Sequence, residues 1–477
     1  MGRSAGALRR DLVAGVLPRQ ALVLPCAIGL LARLTVMLLG DGVDRFQFED
    51  SPSYLIFARE LPTALWRPSA EAFDDTLIRT PGYPIFSWIV SAGGWSIIAI
   101  VVAQCILGGV VNVALCARLG RRLGGASVGV IAAWVVALDP ATIGHDLLIS
   151  TETLFTTVML VTLLSVDHLA RGLRAGALTL ATAGTTAVVG GLIGLGVLVR
   201  PVFVTFIPLF AAGLALAARG RRRWLVPAGV VLTALIPTVG WQLRNLAVAD
   251  AFVLSTVQGQ NLYALGLGAA ATERDPLPIH STTAEQGANI DAVRLPFERA
   301  HREELDNPGP VERHRAWSRL GLELALEHPR GLAIQGATTI TRTLTSAGHE
   351  LVLQRIRPSW QPKARGPLAA WAVLWLLSLY SLAAVGASSA AVQRRWRMLA
   401  ICIGPSAWYL LASMGPGMYI RFRLPITPMI AILFAVGVVH LRQLRASSRD
   451  ANRSDLRGLG QSPVEDGLGV TTDRRPG

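Results

Sequence analysis

Apolar stretches long enough to cross a bilayer recur along this chain near residues 20–40, 96–117, 126–144, 150–167, 176–198, 201–218, 223–243, 367–388, 398–413 and 422–440. A helix needs roughly 20 residues to span the hydrocarbon core, and a backbone in lipid must satisfy its own hydrogen bonds. The pattern predicts an all-α polytopic membrane protein with about ten transmembrane helices. Composition agrees: 52% of residues are hydrophobic and only 16% charged. The formal charge of +14 is carried almost wholly by arginine, Lys363 being the only lysine. These arginines stand in short clusters between apolar runs, as topology signals do, so no nucleic-acid partner is expected.

Placing the N-terminus inside puts Arg118/Arg121/Arg122, His168/Arg171/Arg174, Arg219 to Arg223, Arg394/Arg395/Arg397 and Arg442/Arg445 all on the cytoplasmic side, as the positive-inside rule requires. Both termini are then cytoplasmic in a multi-pass protein of the plasma (inner) membrane. Arg3, Arg9, Arg10 and Arg19 precede the first apolar run without a small-residue cleavage site, which reads as a retained first helix. The opposite side receives residues 41–84, 139–149, the Arg200-Pro201 turn, 244–366 and 415–421. Four regions follow: 1–243 as an N-terminal transmembrane catalytic region holding the first outer loop 41–84, 244–366 as an outer-face segment with helical spacing around 316–326 and 334–344, 367–441 as C-terminal transmembrane helices, and 442–477 as a disordered cytoplasmic tail.

The first outer loop is acidic in a basic chain. Glu49 and Asp50 are adjacent, and Ser51-Pro52 suits the N-cap and first position of a short amphipathic helix carrying Tyr54. The pair would lie at the positive end of that helix, which lowers a carboxylate pKa, whereas a general base works best near operating pH. Desolvation at the membrane boundary acts in the opposite sense. The bland alternative is a pair of solvated loop acids at a helix start. Arg79-Thr80-Pro81-Gly82-Tyr83-Pro84 then returns to the membrane with an arginine on the same face.

Further outer-face arginines break the charge pattern. Arg200 precedes Pro201 and is equally well read as a snorkelling interfacial residue. Arg244 and Asn245 end the WQLRN stretch, with Asn261 in the Gly-Gln-Asn-Leu run beyond, and Arg421 opens the last span. Arginine binds phosphate bidentately and keeps its charge, so several converging on one pocket would suit a lipid phosphate. Glu152, at the start of the fourth span, is either a functional ionisable residue or a helix-start acid. The four cysteines fall in apolar runs, and no HExxH, paired CxxC or His cluster is present, so neither a disulfide, a cofactor nor a divalent metal is indicated.

Taken in order, the acid pair with Tyr54, RTPGYP, STETLF, LVRP, WQLRN and YIRFRLPITP resemble the dolichyl-phosphate-mannose protein mannosyltransferase-like superfamily. These are the GT-C glycosyltransferases that include bacterial lipid A aminoarabinose transferases. The match runs over roughly residues 22–439. It implies inverting transfer of a hexosyl or pentosyl group from a polyprenyl-phosphate carrier to a lipid, protein or polysaccharide acceptor on the outer face. The family's essential acid falls on Asp50 with Glu49 beside it, in the order Glu-Asp where the protein mannosyltransferases have Asp-Glu. Its donor-phosphate arginines fall on Arg79, Arg244 and Arg421, with Arg200 a further candidate. Tyr54, Tyr83, Glu152, Asn245 and Asn261 are the expected substrate contacts. The rival reading is a lipid or polysaccharide transporter or flippase without catalysis, which should carry charges mid-span along a path.

Overall fold

The computed structural model describes residues 20–175, 180–279, 281, 283–306, 309–349, 352–353, 361–415 and 419–459, and every regular element among them is helical. By length and composition, seven of these helices can cross a membrane, or eight if a bent pair counts as one span. The chain is thus an all-α, multi-pass membrane protein.

Eight of the expected spans appear as long or paired helices. They are α1 (Gln20–Leu39), α6 (Ile97–Ile106) continuing through a π-turn (Leu107–Asn112) into α7 (Val113–Gly124), α8 (Ala126–Leu138) with α9 (Pro140–Asp146), α10 (Glu152–Ala175), α11 (Leu180–Val199), α13 (Arg222–Ala249), α19 (Gln361–Val392) and α22 (Thr427–Leu459). The two remaining expectations are shorter. Over 201–218 the chain opens with the 3-10 turn Pro201–Thr205 before α12 (Phe206–Ala217), and over 398–413 it divides into α20 (Trp396–Cys402) and α21 (Gly404–Ala412). Pro405 follows Gly404 at that break, where proline lacks the donor a continuous helix needs. Hydropathy counts apolar residues and does not see such breaks. The last helix also departs from expectation, since it continues to Leu459 where composition suggested an irregular tail. Residues 1–19, 176–179 and 460–477, on which parts of the first helix, fifth span and tail readings fall, lie outside the described residues.

Small residues let the spanning helices approach closely, as they do in lipid where no hydrophobic force drives helices together. α19 and α22 meet at Gly386 and Gly437, where a Cβ would fall 1.9 Å from the Leu433 carbonyl oxygen and 2.1 Å from that of Leu382. Large apolar side chains such as Leu24, Leu31, Ile236 and Leu374 face outward, which is the polarity a bilayer requires.

Between α1 and α6 the chain segment folds as α2 (Ser51–Arg59), α3 (Leu61–Ala64), α4 (Phe73–Ile78) and α5 (Gly82–Val90). Its apolar face, including Tyr54, Leu55 and Tyr83, is buried with Val36 of α1, Ile100 of α6 and Ile149. The segment expected on the outer face folds as α14 (Val257–Arg274), α15 (Thr283–Ala300), α16 (Arg302–Leu305), α17 (Pro310–Glu327) and α18 (Pro329–Thr345) around a small core of Tyr263, Leu267, Leu320 and Leu324. The helical spacing expected at 316–326 and 334–344 is realised in α17 and α18. Residues 251–256 form an irregular loop.

Three of the basic clusters assigned to one side meet in space. Arg397 donates to the buried Asp167 carboxylate at 2.6 Å, with Arg171 at 3.4 Å and Arg122 at 3.9 Å. Asp167 lies about 22 Å along α10 from Glu152, at 1.5 Å per residue. The acids and arginines of the loops assigned to the opposite side gather at the other end of that helix.

Candidate active site

Asp50 sits at the N-cap position of α2 but makes no side-chain bond to the helix. Nor does Ser51 cap it: its Oγ accepts from the Phe48 N–H at 2.8 Å and donates to the Ile149 carbonyl at 2.8 Å. The Ile149 N–H in turn donates to the Phe46 carbonyl at 2.9 Å. These bonds tie the first outer loop to the strap before α10, and they leave the Asp50 carboxylate free for other partners.

Both of its oxygens are taken by arginines. Arg79 donates to Oδ1 at 2.7 Å and Arg421, from the 3-10 turn Ile420–Ile426, donates to Oδ2 at 2.8 Å. Arg79 also donates through Nε to Ser53 Oγ at 2.7 Å and lies over the Tyr54 ring, 4.7 Å from its centroid. Arg421 Nε lies 4.0 Å from Glu152 Oε1, to which Arg200 donates at 2.8 Å. Arg200 and Arg421 each stand over the Phe422 ring at 5.1 Å. The result is a chain of alternating charge, Arg79, Asp50, Arg421, Glu152, Arg200, with one positive charge in excess. Side-chain exposure is greatest at Asp50 (28%) and Arg421 (20%), lower at Arg79 (15%) and Arg200 (12%) and least at Glu152 (2%), so a ligand arriving from solvent meets Asp50 and Arg421 first.

Burial pushes the Asp50 carboxyl up, but Arg79 and Arg421 outweigh it and hold the group below its ordinary value. Burial likewise depresses Arg79, and the Tyr54 and Asp50 groups beside it carry it back above its ordinary value. Asp50 is therefore anionic and weakly basic while both arginines hold it.

Other expected residues lie elsewhere. Glu49 is exposed, with no hydrogen bond or ion pair to a described residue. Tyr83 is wholly buried under Tyr54, ring centroids 5.0 Å apart, and its hydroxyl donates to Gln104 Oε1. Arg244 does not join the other arginines. It donates to the Leu65 carbonyl at 2.6 Å, to the Ala64 carbonyl and to Asn245 Oδ1 at 2.9 Å, with Trp241 beneath it. Asn245 Nδ2 holds the Val253 carbonyl at 2.9 Å. These two residues fasten the first outer loop and the 251–256 loop to the end of α13. Asn261 is exposed on α14.

Sequence reasoning missed a second layer below the site. Arg33, fully buried, donates to Asp146 Oδ2 at 2.6 Å, and Thr153 donates to Asp146 Oδ1 at 2.5 Å. Gly108 of the π-turn makes the room, since a Cβ there would fall 1.9 Å from Asp146 Oδ2. Arg423 and Asp139 form a further buried pair at 3.7 Å. Single charges far apart in sequence carry no local pattern that announces such pairing. Gly82 similarly lets α5 abut the end of α11, where a Cβ would fall 2.6 Å from the Leu198 carbonyl oxygen. Among the described residues no group of three or more His, Cys, Asp or Glu side chains is placed to hold a metal.

Compared with solved structures, the chain matches the archaeal oligosaccharyltransferase AglB from Archaeoglobus fulgidus in complex with an inhibitory peptide and a dolichol-phosphate. The TM-score is 0.52 at 14% identity, over 91% of this chain and 51% of that one. This chain shares its fold with an archaeal oligosaccharyltransferase. The apo form of the Archaeoglobus fulgidus oligosaccharyltransferase gives a TM-score of 0.49 at 14% identity, over 90% of this chain and 51% of that one. The likeness is one of fold, and this chain spans about half the length of the oligosaccharyltransferase chain. No family model matches the sequence, and no curated protein does.

Proposed function

We propose that this chain is a membrane glycosyltransferase that moves a sugar from a polyprenyl-phosphate carrier to an acceptor hydroxyl on the outer face of the plasma membrane, with inversion. The observation that carries this reading is the Arg79–Asp50–Arg421 fork, an acid between two phosphate-competent arginines at the mouth of a charged cleft. The motif order and the fold shared with an oligosaccharyltransferase support it.

The donor's phosphate binds by taking hydrogen bonds from Arg421 and Arg200, and from Arg79 as its charge grows. Each bond transferred from Arg421 or Arg79 releases Asp50 from a cation and raises its basicity. The acceptor O–H is deprotonated by Asp50 as its oxygen bonds the sugar's anomeric carbon. The bond from that carbon to the phosphate oxygen breaks, and its electron pair leaves with the polyprenyl phosphate, whose added charge the arginines stabilise. The order matters, because the acid becomes a competent base only when the donor is seated. Glu152 stays buried and keeps Arg200 and Arg421 directed into the cleft.

A transporter needs charges along a route through the bilayer. The deeply buried charges below the site are instead paired, Arg33 with Asp146 and Arg423 with Asp139, which favours the enzyme. In a deletion strain, wild-type protein should restore the missing glycolipid or wall glycan, and Asp50→Asn at equal membrane abundance should not. Restoration by Asp50→Asn would remove this acid from the mechanism.

A further inference from the structure

In the outer segment, α14, α15 and α18 enclose a half-open cleft of about 50 Å³. That is several times the space one ordered water occupies, yet it is too small for a whole sugar, so it can take one edge of a ligand. Gln335 of α18 lines it. Its side chain is 5% exposed, and neither Nε2 nor Oε1 has a hydrogen-bond partner among the described residues. Leaving a buried amide unpaired is costly, and native structures rarely do so without cause.

Asn289, Gln286 and Arg342, which also line the cleft, are engaged locally. Asn289 Nδ2 donates to the Asp275 carbonyl at 2.9 Å and Gln286 Nε2 to the Ser281 carbonyl at 2.7 Å. Arg342 turns its Nε and one terminal nitrogen to the Ile279 and Pro278 carbonyls, at 2.6 and 2.9 Å. Among the described residues no carboxylate lines the cleft. Gly268 and Ala271 keep one wall low, Ile290 and Leu277 offer apolar surface, and Thr338 adds a hydroxyl. The buried spare group is thus an amide that both donates and accepts, beside an arginine whose Nε and one terminal nitrogen are already given to carbonyls. Adjacent hydroxyls on a sugar ring, each also donor and acceptor, answer it, while the ring's C–H face suits Ile290 and Leu277.

Both walls run on to the charged cleft. α18 packs against the Ile420–Ile426 turn that carries Arg421. The loop leading into α14 is tied beside Arg79, with Ser255 Oγ donating to the Ile78 carbonyl at 2.5 Å and the Thr256 N–H to that of Leu77 at 2.9 Å.

We propose that this cleft is a carbohydrate-binding subsite in which Gln335 grips two neighbouring hydroxyls of a neutral sugar, seating the acceptor of the transfer reaction. The acceptor role rests on the glycosyltransferase reading; the affinity for carbohydrate does not.

Saturation-transfer NMR on the full-length protein in lipid nanodiscs tests it, with methyl mannopyranoside, galactopyranoside and arabinofuranoside as probes and N-acetyl-serine amide as the peptide comparison. At least one glycoside should bind, and Asp50→Asn should bind it equally, which separates this site from the chemistry. Gln335→Leu should weaken binding by about tenfold or more, while the thermal midpoint of the free protein holds or rises, because the change removes an unpaired buried amide. A structural glutamine would instead lower the midpoint on replacement. Should Gln335→Leu fail to fold, Thr338→Leu, which fills the cleft from its half-exposed side, must abolish the signal. Absence of glycoside binding, binding of the peptide alone, or glycoside binding indifferent to whichever of these variants folds would each overturn the proposal.

Discussion

At the scale of single residues, Asp50 is the pivot because its two oxygens each face a different segment. Its carboxyl lies below its ordinary value, so the stability it contributes is complete above about pH 4, the usual aspartate range, and is lost as pH falls through the lowered value. Thermal midpoints measured from pH 7 down to 3 should hold and then drop at the acid end, and Asp50→Asn should remove part of that drop. A loss already present at pH 6 would contradict the assignment. Arg421 serves Asp50 and Glu152 at once, a geometry that a fork of donors allows and an ammonium does not. Arg421→Lys should therefore cut transfer by about 10²-fold with protein abundance in the membrane unchanged, and near-full activity would mean that only its charge matters. Asp50 was legible in the sequence because it stands in the first polar outer loop, beside a helix start and ahead of Arg79. Arg244 looked equivalent by the same logic of an arginine on the wrong side. What the sequence could not carry is that carbonyls of residues 64 and 65 would claim its donors.

At the scale of elements, the π-turn between α6 and α7 is the least replaceable piece. It presents Gly108 to the Arg33–Asp146 pair and Gly109 to α1, where a Cβ would fall 2.7 Å from the Leu30 nitrogen. Gly108→Ala must displace Asp146 and uncouple a fully buried guanidinium, which costs about 3–5 kcal/mol. Thermal unfolding in detergent should show a large fall in midpoint, and a wild-type midpoint would mean that the ion pair relaxes at little cost. Long helices were readable because uninterrupted apolar runs leave a chain in lipid few alternatives. Broken ones were not, since α20 and α21 have the hydropathy of a span but a backbone interrupted at Gly404 and Pro405.

At the scale of the whole molecule, charge has been sorted to two ends. Asp167 collects Arg122, Arg171 and Arg397 at one end, and the Asp50 chain collects its arginines at the other. The sidedness expected from the arginine clusters leads to a direct measurement. A membrane-impermeant maleimide added to intact cells should label a cysteine placed at the exposed Asp44 and spare one at the exposed Arg219, in a Cys26→Ser background, since Cys26 is partly exposed whereas Cys105, Cys116 and Cys402 are buried. The reverse pattern would invert the protein in its membrane. The backbone contact at Gly82 belongs to this scale as well. Arg79 lies three residues before that contact, and Arg200 lies two residues after the Leu198 carbonyl that Gly82 meets. The two cations are thus the jaws of a caliper locked at its hinge. The close backbone approach at Gly82 sets the base of the gauge, and the two long side chains set its opening.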